Sequence, residues 1–296
     1  MDQNSPRYIF FGTPRFAEIV LGGLIRAQLR PVGLVCNPDR PVGRKQLFTA
    51  PPTKKLIAEL PDIKIFQPEN LAELLTLGPE LAEIKPDFFV VAAYAKIIPR
   101  AILEIPRLGT LGVHPSILPR YRGASPIQSA ILGGELETGT TIYLIDEKTD
   151  HGPILVQENL AGYGPNLPIA EVPYLELQEK LAVLGAKLLV ECIPDFLDGT
   201  LPRQIQDESQ ATYTKKFKTE DGFVDSEDLD IAISGDTEKA NEILRKINAL
   251  NPEPGVWMMK DGSRIKLLAA KLQNGSLVLT RTQREGEKPF NLDHTY

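Results

Sequence analysis

Apolar residues along the first two thirds of the chain fall into short continuous runs that alternate with stretches where they return every three or four positions. Tyr8 to Phe11 is the first run; it ends in Gly12-Thr13-Pro14, and Phe16, Ile19, Val20 and Leu24 then follow at helical spacing. The same strand-then-helix alternation continues through Pro31 to Cys36 (strand), Thr53 to Leu60 (helix), Ile63 to Phe66 (strand) and Asn70 to Leu77 (helix). Asp87 to Ala93, DFFVVAA, is apolar throughout, as a strand covered on both faces would be. Leu108 to Val113, Thr140 to Ile145 and Ile154 to Glu158 read as further strands. Ser125-Pro126 reads as a helix cap with proline at the first helical position, leading into Ile127 to Leu132. Glu171 to Leu197 supports one or two helices, broken or ended near Pro194 and stopped by Asp198-Gly199-Thr200. Strands alternating with helices predict a doubly wound α/β fold, a mostly parallel Rossmann-like sheet with its crevice at the carboxyl edge.

From Leu201 to Thr219 the texture becomes polar, as linkers are, and a domain boundary is expected near Asp207, giving domains 1–207 and 208–296. The second part reads as a helix, Glu238 to Leu250, and three strands, Val256 to Met259, Ser263 to Ala270 and Leu277 to Thr282. Turns at Lys260-Asp261-Gly262 and Asn274-Gly275 separate the strands, and a small β-barrel is the natural closure.

Charge refines this picture. The chain carries a net −6, yet from Arg245 onward nine Lys or Arg face five acids, a net of +4. Such asymmetry fits a nucleic-acid contact and fits a solvated surface equally well. A long connection, Asn37 to Lys55, carries Arg40, Arg44, Lys45, Lys54 and Lys55 with no acid from Arg40 on. It is either a solvated loop or an arm that seeks phosphates. With two cysteines, no CxxC and three histidines, neither a disulfide framework nor a metal site is expected. No apolar run is long enough to span a bilayer, and MDQNSPRYIFFG lacks the apolar core of a signal peptide, so the expected location is cytoplasmic.

The candidate chemistry centres on Gly109 to Pro119, GTLGVHPSILP. His114 falls at the carboxyl end of a predicted buried strand, where open α/β sheets place their ligands, and Pro115 and Pro119 stiffen the loop after it. An isolated histidine is more often a satisfied core residue. The turn after the next strand changes that balance, because it holds Asp146, Glu147, Asp150 and Gly152, and a carboxylate there is expected to face His114 across two neighbouring strand ends.

Several motifs together carry a resemblance. They are Phe11-Gly12-Thr13-Pro14, Pro38-Asp39-Arg40-Pro41 with Gly43-Arg44, Ala93-Tyr94 to Pro99, Val113 to Pro119 with Arg122-Gly123 and Pro126-Ile127-Gln128, Thr138-Gly139 to Gly152, and Ala249-Leu250-Asn251-Pro252 with Pro254-Gly255 and Trp257. On these the chain resembles, nearly end to end, the folate-dependent formyltransferases, and within them the branch acting on methionyl-tRNA. The resemblance implies formyl transfer from 10-formyltetrahydrofolate to the methionine amino group of initiator methionyl-tRNA, by a monomer. It implies His114 and Asp150 as catalytic residues. It places folate on Ser116, Ile117, Leu118 and Pro119 and on the loops holding Ala93, Tyr94, Ile97 and Asp146, and tRNA on Arg40, Arg44 and Lys45. Attack by an amine on a formyl carbon builds a negative oxygen and a positive nitrogen together, which suits an imidazole beside a carboxylate.

Two departures stand out. The family pattern puts an asparagine, a donor to the formyl oxygen, where this chain has Gly112, so Gly112→Asn is expected to preserve or raise turnover. Lys271 to Gly275 also joins strands that the family separates by a longer stretch, so the carboxyl domain is expected to be an abbreviated, OB-like barrel. A formyltransferase for an amino-sugar nucleotide and a non-catalytic RNA- or folate-binding protein are the competing readings. A nicotinamide-dependent dehydrogenase is disfavoured because GxGxxG is missing.

Overall fold

The computed structural model describes residues 6–43, 46–60, 62–160 and 169–292. The chain divides into two compact units. The first comprises residues up to Arg122, Gly139–Leu160 and Glu179–Thr212; the second comprises Gly123–Thr138, Ala161–Gln178 and Tyr213 onward.

The first unit is built on seven strands: β1 (Tyr8–Phe11), β2 (Gly33–Val35), β3 (Lys64–Phe66), β4 (Phe88–Ala92), β5 (Thr110–His114), β6 (Gly139–Leu144) and β7 (Ile154–Asn159). They lie in the order β7-β6-β5-β4-β1-β2-β3. All pairs from β5 to β3 are parallel, and β5–β6 and β6–β7 are antiparallel. This is the expected doubly wound, mostly parallel sheet. The order reverses between β1 and β4, the position where such folds open a crevice.

Both faces are apolar, which is why the strand sequences run unbroken. Tyr8 stacks on Phe88 on one face, with ring centroids 5.2 Å apart, and Phe11 meets Phe89 on the other at 5.0 Å. Each such ring fully buried contributes about 1.5–3 kcal/mol. Helix α1 (Arg15–Arg26) follows β1 and buries Phe16, Ile19, Val20 and Leu24, as their spacing predicts.

Three expectations need revision here. The basic connection holds a hairpin, Arg40–Val42 paired with Leu47–Thr49; its side chains are largely exposed, so no apolar alternation marks it in the sequence. The helix expected from Thr53 spans only Pro52–Leu56, and the one expected from Asn70 spans Leu71–Thr76, capped by Asn70 Oδ1 accepting from Glu73 N–H at 3.0 Å.

In the second unit, α2 (Pro126–Leu132) begins with proline at its first position, though the Ser125 side chain makes no capping bond. A single continuous helix, α3 (Tyr174–Asp198), runs through Pro194 rather than breaking there. Its first turn belongs to this unit and the rest to the first. Helices α4 (Ser226–Ser234) and α5 (Thr237–Leu250) pack on an antiparallel sheet ordered β8 (Trp257–Lys260), β9 (Ser263–Gln273), β10 (Ser276–Arg284), β11 (Phe290–Asn291). Shifts of register near Leu267 and Ala269 bend β9. Among the described residues no pairing joins β8 to β11, so the small domain is an abbreviated strand layer under two helices.

Asn251 of the Leu-Asn-Pro motif ties these layers together, donating from Nδ2 to the carbonyls of Ile247 (3.0 Å) and Leu267 (2.9 Å). The expected single boundary at Asp207 differs from this arrangement. The chain leaves the first unit for the last time after Thr212, and α2, far upstream, already belongs to the second because it packs on α5.

Candidate active site

His114 ends β5, and its neighbour β6 runs the opposite way, pairing Gly112 with Tyr143 and His114 with Thr141. The carboxyl ends of these strands therefore lie at opposite edges of the sheet, and the expected meeting across neighbouring strand ends does not occur. Asp150 reaches His114 by another route: residues 145–153 fold back, so that Leu144 N–H meets the carbonyl of Pro153 at 2.9 Å. Two backbone features permit this return. Asp150 itself adopts φ 48°, in the left-handed region. Gly152 lies so close to the β6 backbone that a Cβ there would fall 1.7 Å from the Leu144 carbonyl oxygen, which only glycine allows.

The result is a constellation on one face of the sheet. Gly112, His114, Thr141 and Tyr143 share that face by register, and the opposite face is covered by α3, where Thr140 Oγ1 donates to the Leu181 carbonyl at 2.9 Å. His114 is 6% exposed. Its Nε2 lies 2.8 Å from the Tyr121 carbonyl; a carbonyl only accepts, so Nε2 carries the hydrogen. That leaves Nδ1 turned toward Asp150 Oδ2 at 3.6 Å, an ion-pair separation longer than a hydrogen bond. The other carboxylate oxygen accepts the Tyr143 hydroxyl at 2.6 Å. Burial foremost, and then the Asp150 charge, pushes the Tyr143 phenol well above its ordinary range, so it stays a donor.

Behind the returning loop is a brace that no sequence motif marks as part of the site. Gln206 Nε2 donates to the carbonyls of Asp150 (2.9 Å) and Gly152 (2.8 Å). Its Oε1 accepts from Arg122 at 2.8 Å, and Arg122, wholly buried, also donates to the Glu208 carboxylate at 2.7 Å. That hydrogen bond, with help from His151 and Lys148, holds the Glu208 carboxyl below its usual range. Tyr143 was equally hidden, since a tyrosine in an alternating strand reads as core until the pairing register puts it opposite Gly112.

The same register corrects the expectation for Gly112. A Cβ at 112 would lie 2.4 Å from Tyr143 Cε1 and 2.6 Å from Cζ. An asparagine therefore does not fit while the phenol ring is in place, and the simple substitution cannot be expected to preserve turnover.

The remaining candidates are dispersed. Ser116 and Leu118 are buried, with Ser116 Oγ donating to the Arg120 carbonyl at 2.7 Å and Thr141 Oγ1 donating to the Ser116 carbonyl at 2.7 Å. Ile117 and Pro119 on the same loop are half-buried. Ala93 is exposed with φ 48°, Ile97 is 85% exposed, and Tyr94 turns inward against Phe11, its hydroxyl buried without a partner among the described residues. Asp146 accepts from His151 Nδ1 at 2.6 Å and, with Arg100, Leu103 and Glu104, lines an open cleft. Arg40 pairs with Glu69, whereas Arg44 and Lys45 lie outside the described residues.

The chain matches the formyl transferase family model over residues 7–162, the stretch that holds both His114 and Asp150, and the family's C-terminal domain model over residues 230–280. It is an enzyme of formyl transfer. A methionyl-tRNA formyltransferase from Roseiflexus sp. (strain RS-1) is 39% identical over 267 residues, 90% of this chain and 77% of the relative. The chain belongs to the methionyl-tRNA formyltransferase family. Among solved structures, the methionyl-tRNA formyltransferase from Clostridium thermocellum shares its fold, with a TM-score of 0.58 at 19% identity, covering 94% of this chain and 98% of that one. So does the N-formyltransferase from Helicobacter canadensis, solved with folinic acid and dTDP-3-aminofucose, with a TM-score of 0.60 at 19% identity over 91% of this chain and 88% of that one. No helix among the described residues is long and apolar enough to cross a membrane.

Proposed function

We propose that this chain transfers the formyl group of 10-formyltetrahydrofolate to the amino group of methionine on initiator methionyl-tRNA, as a cytoplasmic monomer serving translation initiation. The observation that carries the reading is His114 Nδ1 facing Asp150 Oδ2 at 3.6 Å in a site whose relatives bear that activity in their names. With Nε2–H held by the Tyr121 carbonyl, Nδ1 is the ring atom left for the reaction. Protonated, it donates to the oxygen that becomes negative when the amine attacks, a contact worth about 3–4 kcal/mol in comparable oxyanion sites. Asp150 supports the charged ring and takes the amine's proton, directly or through water. The formyl carbon's bond to the folate nitrogen breaks as the intermediate collapses, and the proton taken from the amine passes to that nitrogen, so the folate leaves as the free amine.

The exposed Ile97 and Ala93 fit a flat ring system just past the end of β4, and the half-buried Ile117 and Pro119 extend the same apolar character. Arg40, Arg44 and Lys45 are assigned to the tRNA backbone. The test is His114→Ala with each acceptor in turn, methionyl-tRNA and an amino-sugar nucleotide. Formylation of methionyl-tRNA is expected to fall by a factor on the order of 10²–10³ while folate binding persists. Wild-type transfer to the sugar nucleotide but not to the tRNA would overturn the assignment of substrate, and an active His114→Ala protein would overturn the assignment of the site.

A further inference from the structure

Gly112 and Tyr143 stand directly opposite one another on the face that carries His114. The clash that a Cβ at 112 would make, 2.4 Å and 2.6 Å from two ring carbons, means that the phenol already occupies the volume a side chain there would need. The relation is mutual, because the ring lies where it does only because residue 112 has no side chain. Leu118, Ile154 and Ile145 pack around the same ring and hold it in place. Its hydroxyl donates to Asp150 Oδ1 at 2.6 Å, and Oδ2 is the oxygen that faces His114.

We propose that Tyr143 is a positioning residue for formyl transfer, and that Gly112 and Tyr143 act as an exchanged pair: where the family pattern has an asparagine at 112, this chain uses the space for a phenol that fixes the rotation of the Asp150 carboxylate. The proposal rests on reading His114 and Asp150 as the reacting centre. A carboxylate hydrogen-bonded at one oxygen is held against rotation about its χ2, which favours the orientation that keeps Oδ2 toward Nδ1. The pair thus moves part of the site's organisation from the formyl oxygen to the base.

The test uses four full-length proteins: wild type, Tyr143→Phe, Gly112→Asn and Gly112→Asn/Tyr143→Ala. Tyr143→Phe keeps the ring, so its KM for folate and methionyl-tRNA should stay near wild type, while its melting temperature falls by a few degrees with the lost hydrogen bond. Its kcat should fall about tenfold, as expected for losing one hydrogen bond to a charged group. Its crystal structure should show the Asp150 carboxylate rotated from the wild-type orientation. Gly112→Asn should lower both melting temperature and kcat, and Gly112→Asn/Tyr143→Ala should recover both relative to that single variant, a non-additivity that unrelated positions would not give.

A Tyr143→Phe enzyme with unchanged kcat and an unmoved Asp150 would overturn the positioning role. A double variant no better than Gly112→Asn alone would overturn the exchange. If wild type formylates no methionyl-tRNA, the proposed function fails by itself, while the melting cycle and the Tyr143→Phe structure still decide for or against the pair.

Discussion

Replacing Gly152 by alanine tests how Asp150 is delivered to the site. The added Cβ would sit 1.7 Å from the Leu144 carbonyl oxygen, and real Cβ contacts essentially never fall below 3.0 Å, so one side must retreat by about 1.3 Å. Leu144 is pinned by its pairing with Leu111 and by its bond to the Pro153 carbonyl, and the clash is backbone against Cβ, so no side chain can swing aside. The yielding part is therefore the returning loop that carries Asp150. Overpacking of this kind costs about 1–3 kcal/mol. For a unit of this size that corresponds to a melting temperature lower by about 2–12 °C. A misplacement near 1 Å in a reacting group costs about a hundredfold in rate, so kcat for methionyl-tRNA formylation should fall by about that factor.

Gly199→Ala provides the comparison: Gly199 has φ 72° and nothing within 4 Å of its would-be Cβ. It should lose about 1–2 kcal/mol of stability to backbone strain with little change in kcat. A Gly152→Ala enzyme within about threefold of wild-type kcat, at a melting temperature matching Gly199→Ala, would refute the folded-back loop as the means of placing Asp150, since a shifted loop must cost a rate factor near a hundred.

Three further outcomes are expected. Gln206→Leu removes the two donations to the Asp150 and Gly152 carbonyls and one acceptor of the buried Arg122, so chemical denaturation should report a loss of about 1–3 kcal/mol, with kcat falling alongside. Burial raises the phenols of Tyr8, Tyr94 (to about 12) and Tyr143 above the ordinary value. Because the neutral form is favoured in the fold, their contribution to stability is complete below pH about 10 and is lost as pH rises through the folded-state values; ultraviolet titration should find Tyr94 ionising only near pH 12, and Tyr8 and Tyr143 silent until the protein unfolds. Charge reversal at Arg44 and Lys45 should weaken tRNA binding and flatten its salt dependence by roughly one unit of slope per lost phosphate contact, leaving folate binding unchanged; unaltered affinity across salt concentrations would remove this loop from the tRNA interface.

The sheet was legible because most of its strands are buried on both faces: Phe88 and Phe89 are covered from opposite sides, and such runs have no competing periodicity. The hairpin in the basic connection was not, since Val42, Leu47 and Phe48 are all exposed and no buried face imposes a pattern. Helix α4 was missed for a similar reason: SEDLDIAIS buries only Leu229 and Ala232, and its start is set by Asp225 accepting from Glu227 N–H at 2.9 Å rather than by an apolar stripe. At the site, residue types alone made His114 and Asp150 candidates. Strand direction did not follow from them, and it is direction that decides that Tyr143 faces Gly112 and that Asp150 must come back over the sheet. The brace through Gln206 joins residues 84 apart in sequence to Arg122, a separation no local pattern encodes.

Because the smaller unit is assembled from three separate stretches, a shortened gene product ending near Asp207 would not be a self-sufficient catalytic half. It would lack Glu208, a partner of the buried guanidinium, and would lack α5, leaving the apolar helix α2 without the helix it packs on. Such a fragment should collect in inclusion bodies, and attempts to trim this protein to a minimal formyl-transferring core will have to carry both stretches or redesign that face.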